Sequence, residues 1–156
     1  MADNPQSWSA RLTELGITLP PVVPPVAAYV PAVRTGNHVH TSGQLPIADG
    51  NLAVTGKVGA GVSEDAAKAA ARTCALNALA AVHDLVGIDS VVRIVKVVGF
   101  VASAEGFTGQ PGIVNGASEF LGEVFGDAGV HARSAVGVAE LPLGAPVEVE
   151  LIAEVR

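Results

Sequence analysis

The sequence contains one cysteine, Cys74, and therefore no internal disulfide. No CxxC or other metal-binding pattern surrounds it, and its place in a helical pattern indicates a small buried hydrophobe. The first residues, MADNPQSWSARL, lack the charged-then-apolar order of a secretory signal. Because a chain without disulfides suits a reducing compartment, we expect a cytoplasmic protein.

Basic and aromatic residues are scarce as well. Nine Lys and Arg stand against fifteen Asp and Glu, which gives a formal net charge of −6, and aromatic residues make up 4% of the chain. Nucleic-acid binding needs clustered positive charge, and single-stranded substrates are commonly stacked on aromatic side chains. Neither feature is visible, so we do not expect a nucleic-acid partner, and ribonuclease activity is disfavoured.

Long apolar runs are also missing. No stretch approaches the roughly twenty uninterrupted apolar residues of a membrane span. Hydrophobic residues nevertheless make up 49% of the 156 residues, charged residues only 15%, and the mean hydropathy is +0.46. A single domain of this size forms its own core without a metal or disulfide. We therefore expect the surplus apolar surface to be buried between subunits.

Hydrophobic periodicity predicts six strands and two principal helices. The predicted elements, in chain order, are strands at 26–34, 38–44 and 52–55, a helix at 63–86, a strand at 91–102, a helix at 111–125, and strands at 132–139 and 146–155. This order indicates an α+β fold with a mixed six-stranded sheet and both helices packed on one face. The domain is predicted to span residues 26–156.

Residues 1–25 are interpreted as an N-terminal arm that ends in a proline-rich connector, LPPVVPP. Residues 5–16 have the spacing of a short amphipathic helix, and a packed or frayed arm is the alternative.

The strand at 91–102, VVRIVKVVGFVA, has two mainly apolar faces. Strict alternation places Val91, Arg93, Val95, Val97, Gly99 and Val101 on one of them. One face can lie under the long helix, but the remaining helix should pack beside the first. The second face is therefore predicted to be covered by other subunits.

The C-terminal region carries the most readable chemistry. The strands at 132–139 and 146–155 are separated by a Leu-Pro-Leu-Gly-Ala-Pro turn region and are interpreted as a hairpin. In the second strand Glu148, Glu150 and Glu154 share one face. Arg133 is the only Lys or Arg between Lys96 and Arg156. This pairing suggests a site, and the alternative is an ion pair beside a solvated edge.

His38 and His40 alternate on one strand and share a face. Two histidines without a third ligand nearby are a weak metal signal, and no metal site is expected.

Four blocks of the sequence resemble the signature blocks of the Rid/YjgF family, whose members are also called reactive-intermediate imine deaminases or endoribonuclease L-PSP-like proteins. These blocks are TSGQLP at 41–46, Asn115, ARSAVGVAELP at 132–142 and PVEVELIAEV at 146–155. The resemblance covers about residues 26–155. It implies a chorismate-mutase-like fold assembled as a homotrimer, with clefts between adjacent subunits. It also implies hydrolysis of enamines and imines, without metal or organic cofactor, to 2-keto acids and ammonia.

By the same resemblance, Arg133 holds the substrate carboxylate, and Glu148 positions or activates water. Tyr29 matches an aromatic residue at the pocket wall. The further matches to pocket-lining positions are Ser42, Gly43 and Asn115. Active deaminases of the family usually carry cysteine where this chain has Ala135. Together with a glycine-rich loop around 106–112 and the N-terminal arm, this places the chain in a divergent, chorismate-mutase-like branch.

Two other functions stay open. A trimer that binds small carboxylate metabolites without turnover would retain Arg133 and tolerate Ala135. Chorismate mutase activity rests on fold analogy alone, which does not license a function, and the chain has few positive groups for a dicarboxylate.

Overall fold

A computed structural model gives the structure of residues 7–22, 24–25 and 27–156. Residues 1–6, Val23 and Val26, which include the first residues of the predicted arm, helix and strand, lie outside the described residues. The α-helices of the described part are α1 (Trp8–Glu14), α2 (Glu64–Val86) and α3 (Gln110–Phe125). Its strands are β1 (Ala32–Thr35), β2 (His38–Thr41), β3 (Ile47–Ala48), β4 (Asn51–Leu52), β5 (Val91–Ala102), β6 (Ala132–Val138) and β7 (Val147–Val155).

The main sheet has the strand order β1-β2-β7-β5-β6. Only β5 and β6 run parallel; the other neighbouring pairs are antiparallel. The predicted α+β class with a mixed sheet is confirmed, but the sheet has five described strands rather than six. The strand predicted at 52–55 is reduced to β4, which pairs with β3 in a separate two-stranded ribbon because a tight turn at Asp49 and Gly50 connects them.

The predicted C-terminal hairpin is wrong. Strand β5 lies between β6 and β7, so the last two strands do not pair with each other. Helix α3 carries the chain from β5 to β6 as the crossover that two parallel strands require. Alternating apolar residues indicate which face of a strand is buried, but they do not specify its neighbour.

Helices α2 and α3 pack side by side against the sheet. Ser63 caps α2 by accepting a hydrogen bond from the Ala66 amide at 3.1 Å, as its position before two acidic residues predicts. The alanine-rich face of α2 is buried. A Cβ at Gly116 of α3 would overlap the Lys68 carbonyl oxygen of α2, so glycine there permits the close approach of the two helices.

The N-terminal arm contains a helix, α1, that packs on the core. Ser7 caps it, and the Trp8 ring meets Phe125 edge-on with 5.0 Å between ring centroids. The Trp8 indole N–H also donates to the Val91 carbonyl at 2.8 Å. No helix of the described residues is long and apolar enough to cross a membrane.

Strand β5 contains register shifts between Val91 and Arg93 and between Ile94 and Lys96. These shifts put Ile94 in the core, so the predicted grouping of Arg93 and Val95 with Val97 is wrong. From Lys96 onward the alternation is regular. Val97, Gly99 and Val101 are buried toward the helices, and the opposite face of the sheet keeps apolar side chains partly exposed, such as Val136 at 43%.

Candidate functional site

Arg133 lies on β6, on the face of the sheet that α3 covers. It is level with Val97 of β5, which is fully buried. Its Nη1 donates to Asn115 Oδ1 at 2.7 Å and to Ser118 Oγ at 3.2 Å, and its Nη2 donates to the Pro111 carbonyl at 3.3 Å. These bonds use three of the five guanidinium N–H groups. Within the described residues no carboxylate forms an ion pair with Arg133, so two donors stay available for a ligand.

Helix α3 holds this guanidinium through two side chains three residues apart. Asn115 and Ser118 lie on the same helical face because residues at that spacing are neighbours. Ser118 Oγ is also 2.9 Å from His131 Nε2, and His131 Nδ1 is 2.6 Å from the Gly129 carbonyl. Because a carbonyl can only accept, Nδ1 carries the proton, and in the neutral ring Nε2 accepts from the Ser118 hydroxyl. Ser118 and His131 thereby orient Arg133, a role that the sequence analysis missed and that the Asn115–Ser118 spacing signals.

Glu148 lies on the other face of the sheet. It is level with Phe100 of β5, and its neighbours in sequence, Val147 and Val149, are buried on the helix side. The carboxyl group is half-buried, and no described residue donates a hydrogen bond to it. Burial first, and the negative charge of Glu150 second, raise the pKa of Glu148 above its ordinary value. A carboxylate of this kind is suited to take a proton from water.

Gly43 packs directly against the Glu148 carboxylate. Strand β2 leaves β7 after the His40–Ile152 pair and rejoins it where Gln44 bridges Val149, so residues 41–43 bulge out of the ladder. A Cβ on Gly43 would overlap Glu148 Oε1, and only glycine leaves room for the carboxylate. This contact explains why glycine occupies the position.

The predicted ligand Ser42 has a positioning role within one protomer. Its hydroxyl donates to the Val30 carbonyl at 2.6 Å, and its amide donates to the Pro31 carbonyl at 2.8 Å. These bonds hold the segment that contains Tyr29 beside the bulge. The hydroxyl proton of Ser42 is therefore already engaged.

Tyr29 lines a concave, mainly apolar pocket that shares Gly43 with the Glu148 contact. This apolar pocket has a volume of about 190 Å³. Its walls are formed by prolines of the 24–31 segment and by Tyr29, Gly43, Leu45, Ile47, Pro142 and Leu143. Tyr29 is 47% exposed, which leaves its ring accessible to a ligand.

The predicted site residues form two separate groups. Arg133 and Asn115 lie together on the face that α3 covers, whereas Glu148 lies on the opposite face and contacts Gly43, which lines a pocket with Tyr29. The backbone positions of Arg133 and Glu148 are separated by two strand spacings and by three residues along a strand, which together amount to roughly 14 Å. Their side chains also leave opposite faces of the sheet. One small substrate cannot touch both within a protomer.

Ala135 is level with Gly99 and Val149 and packs partly buried against the core, on the same face as Arg133. The segment before α3 spans residues 103–109, and Gln110 anchors it by donating to the Phe107 carbonyl at 2.8 Å.

Among the described residues, no group of three or more His, Cys, Asp and Glu side chains is placed to hold a metal ion. His38 and His40 belong to the open sheet face, with side chains on an exposed part of β2.

Helices α2 and α3 on one face of a mixed sheet give this chain the architecture of a small α+β protein of the chorismate-mutase-like type. Residues 9–155 match the family described as "YjgF/chorismate_mutase-like, putative endoribonuclease". The chain therefore belongs to the YjgF/chorismate mutase-like family, as its sequence blocks predict.

Individual relatives extend this comparison. Protein TCP17 of Trypanosoma cruzi is 44% identical over 150 residues, which cover 95% of this chain and 94% of the relative. The crystal structure of Atu1372 from Agrobacterium tumefaciens, a protein of unknown function, is 44% identical with a TM-score of 0.88, covering 96% of this chain and 92% of its own. E. coli TdcF, solved with bound serine, is 27% identical with a TM-score of 0.62, covering 88% and 94%.

Proposed function

We propose that this protein hydrolyses reactive enamine and imine intermediates of small amino acids to 2-keto acids and ammonia, in clefts between the subunits of a homotrimer. The observation that carries the proposal is the state of Arg133. Its guanidinium is held by α3, has no carboxylate partner among the described residues and keeps two donors available. Two parallel charge-assisted bonds to a substrate carboxylate are what such an arginine provides. The serine bound to the related TdcF is a ligand with that carboxylate.

The reaction asks little of the protein. In a protonated imine the carbon is already electrophilic, so Arg133 has to hold the acid while Glu148 takes a proton from water. The hydroxyl adds to the carbon, and the returned proton makes ammonia the leaving group. As the C–N bond breaks, the hydroxyl oxygen forms the carbonyl double bond and passes its proton to Glu148, which gives the 2-keto acid and ammonia. An enamine first takes a proton at carbon. General base catalysis of this kind contributes typically about 10² to 10⁴-fold.

Assembly into a trimer supplies what one protomer lacks. Arg133 and Glu148 leave opposite faces of the sheet, so a shared substrate needs Arg133 from one subunit and Glu148 from its neighbour. The open face with its partly exposed valines provides apolar surface for that contact. Cys74 is a buried free thiol, and the proposal places the protein in the cytoplasm, where thiols stay reduced.

The direct test generates an imine with an amino-acid oxidase and follows 2-keto acid formation against the spontaneous rate. The proposal is supported if the wild-type protein accelerates 2-keto acid formation and if Arg133→Ala abolishes this acceleration. Equal rates for the two proteins would rule it out.

A second candidate function is binding without turnover, which Ala135 in the place of the usual cysteine favours. Stabilisation of the protein by 2-ketobutyrate, without acceleration of imine hydrolysis, would identify this function, because a ligand that binds only the native state raises its apparent stability.

The family description also names ribonuclease activity. With a net charge of −6 and few aromatic residues, we expect no RNA cleavage that depends on Glu148.

The variant Asn115→Asp is expected to raise KM for the imine about tenfold or more, with a smaller change in kcat. A carboxylate at this position forms an ion pair with the Arg133 guanidinium, which now lies 2.7 Å from the amide oxygen, and competes with the substrate acid. Asn115→Ala removes the anchor without adding charge, so its KM is expected to rise less. If Asn115→Asp bound substrate as well as the wild type, Arg133 would not be the carboxylate ligand.

Glu150→Gln is expected to shift the acidic limb of the kcat/KM profile to lower pH. Glu148 must be ionised to act as a base, and its raised pKa places the wild-type limb above the pH where an ordinary glutamate titrates. Removing the negative charge of Glu150 removes one cause of the raised pKa, so activity persists further into acid. Glu154→Gln, farther along the same face of β7, is the control and should leave the limb in place. A limb that Glu150→Gln does not move would show that another group sets it.

A further inference from the structure

The buried polar side chains of this protein are concentrated at one segment of the chain. Among the described residues they are Thr41, Gln44 and Asn77. Thr41 and Gln44 belong to the segment 41–47, which leaves β2, and Asn77 of α2 binds that segment from the helix side. Because a buried polar group costs free energy unless it is hydrogen-bonded, three of them at one place in an apolar core indicate that this segment has to be held in a defined position.

Asn77 binds the end of the segment to α2. Its side chain is 3% exposed, and its Nδ2 donates to the Leu45 and Ile47 carbonyls, both at 2.9 Å. Asparagine is a poor helix former, yet here it lies between Leu76 and Ala78 in an alanine-rich helix. Alanine would suit the helix better but would leave the two carbonyls without these donors. The two hydrogen bonds therefore explain why asparagine occupies the position.

Thr41 and Gln44 bind the start and the middle of the segment to β7. The Leu151 amide donates to Thr41 Oγ1 at 3.0 Å. The Gln44 amide donates to the Val149 carbonyl at 2.8 Å, and the Gln44 carbonyl accepts from the Val149 amide at 3.0 Å. The segment is thus attached to the sheet on one side and to α2 on the other, so its position depends on contacts with two distant parts of the chain.

Gly43 lies in the middle of these attachments. It is two residues from Thr41 and two from Leu45, and it packs against the Glu148 carboxylate. We propose that Thr41 and Asn77 are positioning residues for Glu148, because they fix the segment so that Gly43 shields one side of the carboxylate from water. This inference rests on the proposed function and adds to it two residues that act through the base without touching the substrate.

Asn77→Ala is expected to lower kcat for imine hydrolysis about tenfold or more and to keep KM within about twofold of the wild type. The two released carbonyls bind water, the segment moves away, and water reaches the Glu148 carboxylate. Carboxylate binding by Arg133, on the opposite face of the sheet, is not affected. Hydration removes burial, which is the main cause of the raised pKa of Glu148, so the acidic limb of the kcat/KM profile should move to lower pH.

Thr41→Val tests the same role from the start of the segment and leaves α2 intact. Valine has a similar shape but lacks the oxygen that accepts from the Leu151 amide, so kcat and the acidic limb should change in the same direction as in Asn77→Ala. Thr41→Ser keeps this oxygen and should restore wild-type behaviour. Val82→Ala, at a fully buried position of α2, is the control for lost stability and should lower Tm without moving the limb.

An NMR titration of the Glu148 carboxyl carbon, assigned with Glu148→Gln, follows the base without turnover. Its midpoint is expected at lower pH in Asn77→Ala and Thr41→Val than in the wild type and in Val82→Ala. If Asn77→Ala does not fold, Thr41→Val compared with Thr41→Ser decides.

The two measurements separate this inference from the proposed function. If the wild type accelerates no imine but both variants titrate at lower pH, the hydrolysis proposal fails and the positioning role stands. If hydrolysis is confirmed while both variants titrate and turn over like Val82→Ala, the positioning role is wrong and the proposed function stands. A KM that rises as much as kcat falls would indicate a general loosening of the fold and would also overturn the inference.

Discussion

Arg133→Lys is expected to lower kcat/KM for imine hydrolysis about 100-fold or more, with most of the loss in KM. Lysine keeps the positive charge but cannot form two parallel bonds to a carboxylate, and its single ammonium cannot also keep the contacts to Asn115 and Ser118. Loss of one or two hydrogen bonds to a charged group costs about 1.5–3 kcal/mol each, and about 1.4 kcal/mol corresponds to tenfold. Steady-state kinetics on an oxidase-generated imine gives the two constants separately.

Arg93→Lys is the control for this substitution. Arg93 lies on the neighbouring strand β5 and donates to the Val130 carbonyl, so its replacement tests a general effect of removing an arginine from this part of the sheet. Glu148→Gln should behave differently from Arg133→Lys, because it removes the base and lowers kcat while carboxylate binding persists. If Arg133→Lys kept the wild-type KM, Arg133 would not be the residue that binds the carboxylate, and the main support for the proposed function would be lost.

Elements with local signals could be predicted from the sequence. Helix α2 follows from Ser63 and the two acids after it, and β5 from a twelve-residue apolar run whose observed bounds are Val91 and Ala102. The predictions that were wrong concern features that depend on contacts between segments distant in the sequence. The register shifts at the start of β5 reverse which side chains are buried, and no local pattern marks them. Likewise, β5 lies between β6 and β7, and the alternation of apolar residues does not indicate which strands pair with each other.

The sequence suggested candidate site residues, but it did not indicate how they are arranged. The family blocks contain Arg133, Glu148, Gly43 and Asn115, and Gly43 does pack against Glu148. The resemblance did not indicate that Arg133 and Glu148 leave opposite faces of one sheet. That fact follows from the register, in which Arg133 is level with Val97 and Glu148 with Phe100. Ser118 and His131, which complete the hydrogen-bonded chain to Arg133, belong to no block.

Mixed oligomers of two inactive variants are expected to recover activity. In the proposed trimer, Arg133→Ala and Glu148→Gln are each expected to be inactive as pure proteins, because every cleft would lack one of the two groups. When the two are co-expressed with different tags in equal amounts, a cleft is intact if the arginine side comes from the Glu148→Gln subunit and the glutamate side from the Arg133→Ala subunit. Random assembly through one repeated contact makes about a quarter of the clefts intact. The purified mixed protein should therefore show about a quarter of the wild-type kcat.

A second mixture distinguishes shared clefts from sites within one protomer. Wild-type subunits co-expressed with the double variant Arg133→Ala/Glu148→Gln keep about half of the wild-type activity if each protomer contains a whole site, and about a quarter if each cleft takes one group from each neighbour. Because roughly 14 Å and the sheet itself separate the two side chains, we expect this mixture to keep about a quarter of the wild-type activity. A cleft between subunits is identified if the two single variants restore activity when mixed and if this second mixture keeps about a quarter of the wild-type activity. Absence of complementation with half activity retained would mean that Arg133 and Glu148 do not act on one substrate across an interface.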